Sequence, residues 1–474
     1  MIAYLRPYPT YRSAEVAWLG EIPSHWEIRR MKYVVREIDL RSLNGEEQLL
    51  RVSQYTGVSQ RLRADGLNEP DTRADSLVGY KRVEPEDLVI NIMLAWNGSM
   101  GVSRYSGIAS PAYCVYRFRR GLCPWYFHNL LRSPAYKARI KASSRGVVES
   151  RLRLYSDDLG RIEAIVPPPD EQAAIVRFLD WANGRLERAI RAKWKVIALL
   201  NEQKQAIIQR AVTLGLDLSV PLKPSGIPWL GDIPEHWEVL PLKGVCAIQS
   251  GITLGKDYAG QALREYPYLR VANVQAGHVN LSLVKTVRVT KAEADRCLLQ
   301  GGDVLMTEGG DLDKLGRGCV WNAQVSPCLH QNHVFAVRQN QSRLDPRFLS
   351  ALMGTSYARA YFQSTAKQTT NLAATNKTKL GMFKVLLPGV DEQHRILSRL
   401  DEELRPLNIA TSRLEREIEL LREYRTRLVA DVVTGKLDVR ETAARLPDEA
   451  PLDSVVDDTD LSDECETADE EAAI

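Results

Sequence analysis

The sequence has no run of about 18 apolar residues, which is the length that a membrane-spanning helix needs. Residues 1–20 also lack the uninterrupted apolar segment of a signal peptide. The seven cysteines are odd in number and scattered through 474 residues, so they supply no disulfide framework. These absences argue against a membrane protein or a small secreted scaffold. We expect a cytoplasmic protein without a membrane partner.

The sequence also lacks a recognisable catalytic constellation. Residues 251–256 are similar to a phosphate-binding loop, but the stretch is one residue short, and Asp257 stands where a magnesium-binding Ser or Thr belongs. Four residues could supply zinc ligands: Cys319, Cys328, His330 and His333. No Cys-x-x-Cys pair frames them, and residues packed in a core are the simpler interpretation. We predict no catalytic residue, no metal site and no cofactor in this chain.

Charge is distributed unevenly along the chain. The formal net charge is +3, but residues 441–474 hold 13 acidic residues and a single base, Arg445. Residues 1–440 hold 62 basic and 47 acidic residues, a net charge of +15. The acidic tail is poor in aromatic residues and should be disordered. The basic body suits a polyanionic partner.

Two long stretches, 170–213 and 391–434, share the seven-residue apolar spacing of a coiled coil. Both open with Asp-Glu-Gln after a proline and end near a glycine, which is the usual punctuation of a helix. The stripe residues are Leu179, Leu186, Leu200, Ile207, Leu400, Leu407, Leu414, Leu421 and Leu428. We expect two helices that pack on each other, although two separate surface helices are the alternative. Pro406 should kink or break the second helix.

The leucine stripe and the companion seam of these helices contain polar residues that would set the register or meet other chains. They are Asn183, Lys193, Lys204, Thr411 and Arg425.

A second repeat opens each globular segment. Residues 18–27, Trp-Leu-Gly-Glu-Ile-Pro-Ser-His-Trp-Glu, return at 229–238 with two conservative changes. Both segments should mix helices and short strands. The predicted strands are 87–93, 112–118, 268–274, 303–306 and 333–338, and the predicted helices are 125–141 and 347–363. The predicted domains are 1–166, a helix at 167–215, a linker at 216–228, 229–387, a helix at 388–440 and the acidic tail at 441–474.

Basic, amide and aromatic side chains are interleaved in loop-like stretches of both globular segments. Arg and Lys can bind guanine edges, Asn and Gln can bind adenine edges, and the others can hold phosphates. For any single residue the alternative is an ordinary solvated surface, so the prediction concerns the set. In the first segment the candidates are Asn91, Trp96, Asn97, Arg104, Tyr113, Arg145, Ser150 and Arg151. In the second they are Thr253, Lys256, Arg270, Asn273, Arg317, Gln331, Asn332, Lys367, Gln368, Asn371, Asn376 and Lys377.

Together these motifs resemble the specificity subunit of type I restriction-modification systems. The resemblance rests on the duplicated opening, the Pro-x-x-Asp-Glu-Gln entry to each helix, and the Leu-Leu-x-Glu phrases that start at Leu199 and Leu420. The phrases at 79–98 and 107–113 are also typical of that family's target recognition domains. The resemblance covers nearly the whole chain except the acidic tail.

The resemblance implies an α+β fold, in which two mixed α/β target recognition domains alternate with two long helices. These helices would pair as an antiparallel coiled coil, with a pseudo-twofold internal repeat. Each domain would read one half of a bipartite site in double-stranded DNA, in the service of phage defence. The alternative is a coiled-coil scaffold whose globular domains bind protein or RNA.

The resemblance also implies partner subunits that carry the chemistry. The helices would act as a spacer and dock two methyltransferase subunits, which bind S-adenosylmethionine and methylate adenine. Restriction subunits, which use ATP and Mg, would join the complex for DNA cleavage.

Overall fold

The computed structural model describes residues 5–61, 76–148, 151–310, 316, 318–368 and 373–447. The chain divides into two compact units. The first unit comprises Met1–Ala192 with Arg416–Ile474, and the second comprises Lys193–Glu415. Each unit therefore contains one globular segment, one end of the first long helix and the opposite end of the second.

The strands of both units are short, and the helices fall into two long ones and eight shorter ones within the described residues. In the first unit the strands are β1 (Tyr11–Ser13), β2 (Glu21–Pro23), β3 (Glu27–Arg30), β4 (Val35–Ile38), β5 (Leu50–Ser53), β6 (Gly57–Gln60), β7 (Lys81–Val83), β8 (Leu88–Asn91), β9 (Met100–Val102), β10 (Gly107–Ala109), β11 (Tyr113–Phe118) and β12 (Glu163–Val166). In the second they are β13 (Leu222–Pro224), β14 (Asp232–Pro234), β15 (Glu238–Pro241), β16 (Cys246–Ser250), β17 (Arg264–Leu269), β18 (Lys285–Val289), β19 (Val304–Thr307), β20 (Gly309–Gly310), β21 (Gly318–Val320), β22 (Leu329–His330), β23 (Val334–Gln339), β24 (Lys367–Gln368), β25 (Ala373–Ala374) and β26 (Lys384–Leu387). The helices are α1 (Pro124–Leu131), α2 (Pro134–Ser143), α3 (Ser156–Arg161), α4 (Pro169–Leu214), α5 (Lys291–Arg296), α6 (Pro346–Met353), α7 (Ser356–Thr365), α8 (Lys377–Met382), α9 (Val390–Val433) and α10 (Arg440–Ala444).

The main sheet of each unit has four antiparallel strands in a matching order. The order is β4-β11-β8-β9 in the first unit and β16-β23-β19-β21 in the second. All four residues of β8 and of β19 are buried. A strand that is covered on both faces has a continuous apolar run rather than alternation, which is why the sequence shows these two strands clearly.

An ion pair braces the entrance to each buried strand. The guanidinium of Arg117 donates two hydrogen bonds of 2.8 Å to the carboxylate of Asp87, just before β8. Arg338 makes the matching pair with Asp303, just before β19, at 2.8 and 2.7 Å. A bidentate pair of this kind fixes the relative orientation of the two side chains and also compensates their charges. These pairs explain why the two globular segments share an aspartate at this position.

The repeated Trp-Glu and Asp-Glu-Gln phrases meet in space within each unit. Trp26 Nε1 donates to Glu171 at 2.8 Å in the first unit, and Trp237 Nε1 donates to Glu392 at 3.1 Å in the second. Each tryptophan also lies against the glycine that ends a long helix. A Cβ on Gly435, where φ is +78°, would approach the Trp26 ring to 2.9 Å, so glycine is required there.

The glutamine that follows each of these glutamates anchors the start of its long helix. Gln172 Nε2 donates to the Pro167 carbonyl oxygen at 2.7 Å, and its Oε1 accepts from the Cys123 amide at 2.8 Å. Gln393 makes the matching bonds, with Nε2 donating to Pro388 O at 2.9 Å and Oε1 accepting from Asp345 N at 2.8 Å. The glutamine thus ties the helix start to the chain entering α1 or α6.

Helices α4 and α9 have the bounds that the heptad stretches predict, within one residue. Of the kink or break predicted at Pro406, the break is wrong, because α9 continues through this residue without interruption, and the kink stays a prediction. Pro406 has no main-chain donor and its ring crowds the carbonyl oxygen of Glu402 in the preceding turn, so the helix continues through it at a cost in free energy. Leu400 and Leu404 pack on the core of the second unit one turn earlier and hold this part of the helix in place.

Within each unit the ends of α4 and α9 lie against each other. Arg425 forms an ion pair with Glu187 in the first unit, and Lys204 Nζ donates to Thr411 Oγ1 at 2.9 Å in the second. Of the stripe residues, Leu179, Leu186, Leu400 and Leu428 are buried, whereas Leu200, Ile207, Leu407, Leu414 and Leu421 are half-buried. Polar seam residues therefore meet partners on the opposing helix.

Two predicted helices, 125–141 and 347–363, are each divided in two. In the first unit Pro134 starts α2, and the preceding Ser133 is extended, with ψ of 152°, because the proline ring disfavours a helical conformation there. In the second unit Gly354 ends α6, and Thr355 caps α7 by accepting a hydrogen bond from the Ala358 amide. The hydrophobic period continues across both breaks, so periodicity alone did not show them.

Three further boundaries differ from the sequence prediction. The predicted strand 268–274 ends at Leu269 and is followed by a 3-10 turn, Val271–Asn273. The predicted linker contains β13, which pairs with β14. The fold also continues past residue 441, because α10 forms there and Ala443 and Leu446 are buried. The rest of the predicted tail, 448–474, lies outside the described residues.

Candidate nucleic-acid interface

Four of the predicted DNA-binding amides serve the fold locally. Asn273 is buried, and its side chain accepts from the Arg270 amide and donates to two carbonyl oxygens, at 2.9, 2.8 and 3.0 Å. Asn91 and Asn97 accept from main-chain amides two residues ahead, and Asn376 caps α8 by accepting from the Lys379 amide. Sequence alone does not separate such turn-forming amides from base-reading ones, since both occur in loops.

Other predicted residues are engaged elsewhere or lie outside the description. Lys256 forms an ion pair with Glu293, which offsets its charge. The guanidinium of Arg104 lies 4.2 Å from the Trp125 ring centroid, and Tyr113 is half-buried in β11. Ser150, Arg317, Asn371 and the side chain of Gln368 lie outside the described residues.

The remaining candidates of the first unit lie on one surface, which we call the first basic face. It comprises Trp96, Lys137, Lys141, Arg145, Arg151 and Arg153. Lys141 Nζ lies 5.5 Å from the Trp96 ring centroid. Arg145 and Arg153 pair through two main-chain hydrogen bonds of 2.9 Å. The neighbouring Leu154 amide donates to the Ile92 carbonyl oxygen at 2.9 Å, which ties this hairpin to the loop after β8.

The first basic face is strongly cationic. Arg145, Arg151 and Arg153 are exposed, and Asp158 forms a 2.7 Å ion pair with Arg145. Burial, and then the nearby guanidinium of Arg132, lower the pKa of Lys137. Cations that alternate with an aromatic side chain form the type of surface that binds a phosphate backbone and stacks on bases.

The second unit gathers its candidates at the matching place, which we call the second face. It comprises Arg270, Gln331, Asn332, Lys367 and Lys377. The main-chain N–H of Gln331 donates to Leu269 O, and the main-chain N–H of Asn332 donates to Ile252 O, each at 2.9 Å. Ile252 forms a parallel bridge with Gln331, so the exposed Thr253, which follows Ile252, lies near Gln331 and Asn332. A Cβ on Gly251 would lie 2.0 Å from the His330 carbonyl oxygen, so only glycine permits this close approach.

The two faces occupy equivalent positions on their sheets. In the first unit the residue after β8, Ile92, accepts from Leu154; in the second the residue after β19, Glu308, accepts from Thr375 at 2.8 Å. Glu308 also forms a 2.7 Å ion pair with His333, the neighbour of Asn332. Each face is therefore built on the loop after the buried strand, β8 or β19. It also includes the hairpin that follows two short helices, α1 and α2 in the first unit and α6 and α7 in the second.

The sequence search missed Lys137, Lys141 and Arg153. Lys137 and Lys141 are four residues apart on α2, a spacing that puts both on one side of a helix. That spacing was visible in the sequence. Because one continuous helix was predicted over 125–141, however, the sequence did not show that the side with these lysines faces the loop after β8.

Two histidines near these faces, His128 and His330, are buried and neutral. Burial lowers the pKa of His128 to about 3, and its Nδ1 accepts from the Val102 amide at 3.1 Å. Burial likewise lowers the pKa of His330 to about 4, and its Nδ1 donates to the Val334 carbonyl oxygen at 2.6 Å. Both histidines support the loops rather than contribute charge.

The described residues lack two other kinds of feature. They contain no group of three or more His, Cys, Asp or Glu side chains placed to bind a metal ion. Within the same part of the chain, no helix is long and apolar enough to cross a membrane.

Comparison with known proteins identifies relatives over most of the chain. Residues 234–420 match the type I restriction modification DNA specificity domain. The EcoKI specificity subunit of Escherichia coli K12 is 23% identical over 332 residues, which are 68% of each chain. The MjaVIII specificity subunit of Methanocaldococcus jannaschii is 21% identical over 438 residues, which are 88% of this chain and 94% of the relative.

A solved structure shares the fold. It comes from work on complex assembly and conformational transition of the type I restriction-modification system, with a TM-score of 0.58 and 18% identity. The alignment covers 88% of this chain and 99% of that one. Residues 234–420 thus carry a type I restriction modification DNA specificity domain, and over most of its length this chain is similar to specificity subunits of type I restriction enzymes.

Proposed function

We propose that this subunit reads a bipartite site in double-stranded DNA, with one half bound by each unit. The proposal rests on one observation: the two units share a frame but present different surfaces. Both units have the same sheet order, the same Asp-Arg brace and the same Trp-Glu anchor. At the equivalent position, however, one presents five cations around Trp96 and the other presents amides with fewer cations. A constant frame with variable surfaces suits two domains that read different bases.

The helices would dock two adenine methyltransferase subunits, and through that complex the restriction subunits. Several large apolar side chains of α4 and α9 are exposed: Trp194 (37%), Leu199 (56%), Ile409 (64%), Leu420 (55%) and Tyr424 (41%). Exposed apolar residues clustered on a helix surface are typical of protein interfaces. In this proposal the chain itself is not catalytic, and methyl transfer with S-adenosylmethionine belongs to the methyltransferase partners.

Salt-dependent binding of the subunit assembled with its methyltransferase tests the DNA-binding surface. The double variant Lys141→Ala/Arg151→Ala should bind duplex DNA more weakly. If both side chains contact phosphates, the slope of log Kd against log salt should fall by about 2, because fewer counterions are released. Fluorescence anisotropy with labelled duplexes between low and physiological salt measures the slope.

Arg120→Ala is the matched control for this experiment. Arg120 is exposed in the same unit but lies at the far end of the sheet from the first basic face. It follows the end of β11 that pairs with β4, whereas the start of β11, Tyr113, pairs with Asn91 next to the loop after β8. Its removal should leave the salt slope unchanged. If the double variant and Arg120→Ala show the same slope as the unaltered subunit, the first basic face is not the DNA surface.

A further inference from the structure

Arg132 joins three separate segments of the first unit. It follows α1, and its guanidinium donates only to main-chain carbonyl oxygens in the hydrogen bonds seen among the described residues. Nη1 donates to Ser53, Gly98 and Met100 at 3.3, 3.2 and 2.6 Å, and Nη2 donates to Gln54 and Tyr55, both at 2.8 Å. Burial lowers its pKa to about 10, which still leaves it cationic at neutral pH.

The hairpin formed by β5 and β6 is also held by close packing. A Cβ on Gly57 would lie 3.2 Å from His128 Cε1, and a Cβ on Gly101 would lie 3.1 Å from the Gly57 Cα. Two glycines therefore allow the start of β6 to lie directly on β9 and α1. With the three hydrogen bonds that Arg132 donates to Ser53, Gln54 and Tyr55, the backbone of the hairpin tip is fixed before any ligand arrives.

The tip, residues 54–56, presents an amide, an aromatic ring and a hydroxyl group. Tyr55 is 55% exposed, Thr56 is exposed and Gln54 is half-buried. Through Arg132 the tip lies beside Gly98, and a Cβ on Gly98 would lie 2.8 Å from Lys137 Cδ of the first basic face. The tip thus extends that face with side chains that suit base edges rather than phosphates.

Among the described residues, this arrangement occurs in the first unit alone. Gly354 ends α6 as Arg132 ends α1, and a glycine has no side chain with which to hold a hairpin. The frame is common to both units, but this anchor is not. If the two units read different bases, the difference should arise from features that only one unit has.

We infer that residues 54–56 form a base-reading element of the first unit and that Arg132 is its positioning residue. The inference rests on the proposed DNA-reading function and specifies part of its surface. A tip with a fixed backbone loses little conformational entropy on binding, so its side-chain contacts contribute more fully to affinity.

Substitutions at the tip test this inference in the full chain, co-expressed with its methyltransferase. The target sequence of the complex is first mapped from methylated adenines on a plasmid library. Gln54→Ala and Tyr55→Ala should each lower affinity for the mapped duplex about tenfold and change affinity for random duplex less than twofold. They should also relax one half of the methylated sequence and leave the other half unchanged.

Tyr33→Ala is the matched control, because Tyr33 is 58% exposed in the same unit and lies beside β4, at the other end of the sheet. It should alter neither affinity nor sequence. Arg132→Met should relax the same half as the tip variants, and Arg132→Lys, which keeps the charge, should relax it less. A merely structural arginine would instead lower affinity for specific and random duplexes equally.

The outcomes separate this inference from the function on which it rests. If the unaltered complex shows no sequence preference on duplex DNA, both are wrong. If it shows a preference that Gln54→Ala and Tyr55→Ala leave unchanged, the tip does not read bases and only this inference fails.

Discussion

Glu171 and Glu392 occupy the same place in the two units, but their surroundings differ. The Glu171 side chain is 4% exposed and the Glu392 side chain 20%. Both bind a tryptophan and a histidine of the repeated opening. Glu171 additionally accepts from Tyr8 at 3.2 Å and from Arg440 at 3.2 Å. It thereby connects the segment before β1 and α10 to the start of α4.

We expect Glu171→Ala to lower the free energy of unfolding by about 3–5 kcal/mol, because it leaves several buried donors and a cation without their acceptor. Glu392→Ala, the matched substitution in the second unit, should lower it by about 1–2 kcal/mol, since its site is more accessible to water and offers fewer donors. Urea unfolding of the two variants measures both values. Equal losses would show that Tyr8 and Arg440 add nothing to the first site.

At this scale the sequence indicated which loops carry basic and amide side chains, but not the roles of individual residues. Trp96, Arg145 and Arg151 do lie together on the first basic face. Asn273, in contrast, has all its hydrogen-bonding groups engaged by its own loop. An amide in a turn and an amide that reads a base have the same local pattern, so only the distances in the fold distinguish them.

The long helices show what a repeating pattern encodes. Heptad spacing predicted the bounds of α4 and α9 because apolar periodicity and end punctuation are local properties of the sequence. The effect of Pro406 was not predictable in that way. Whether a proline interrupts a helix depends on the packing of the residues around it, here Leu400 and Leu404, and that packing is not local.

Ile418 tests whether the seam of α9 is a buried packing surface. It is 1% exposed, whereas Leu420, two residues later on the same helix, is 55% exposed. Ile418→Asp should lower the free energy of unfolding by about 3–5 kcal/mol, because a carboxylate would replace a buried side chain without gaining a partner. Leu420→Asp should change it by less than about 0.5 kcal/mol.

Thermal unfolding of the isolated chain, followed by helical circular dichroism, compares these two variants. Equal unfolding midpoints for Ile418→Asp and Leu420→Asp would contradict the assignment of Ile418 to a packed seam. The isolated chain is the right sample, since Leu420 belongs to the surface proposed for partner docking.

At the scale of the whole molecule, the sequence predicted the order of segments but not their grouping into units. The repeated opening and the two heptad stretches indicated globular, helix, globular, helix, tail. The structure groups residues from 416 onward with the first globular segment, where Val432, Val439 and Ala443 join its core. Association between residues some 400 positions apart leaves no periodic trace in the sequence, so only the fold reveals it.

The grouping makes the first basic face separable from its frame. Residues 29–160 contain the first basic face and the β5–β6 hairpin, while Trp26, Glu171 and Gln172 lie outside this range. Replacing 29–160 with the corresponding segment of a related subunit should therefore keep the anchors and exchange the reading surface.

Mapping the adenines methylated by the complex that contains this replaced chain is the most direct test of two independently reading units. We predict that one half of the bipartite methylated sequence changes to that of the related subunit, while the other half and the ability to assemble with the methyltransferase are retained. A change in both halves, or methylation of the original sequence despite the replacement, would contradict the account.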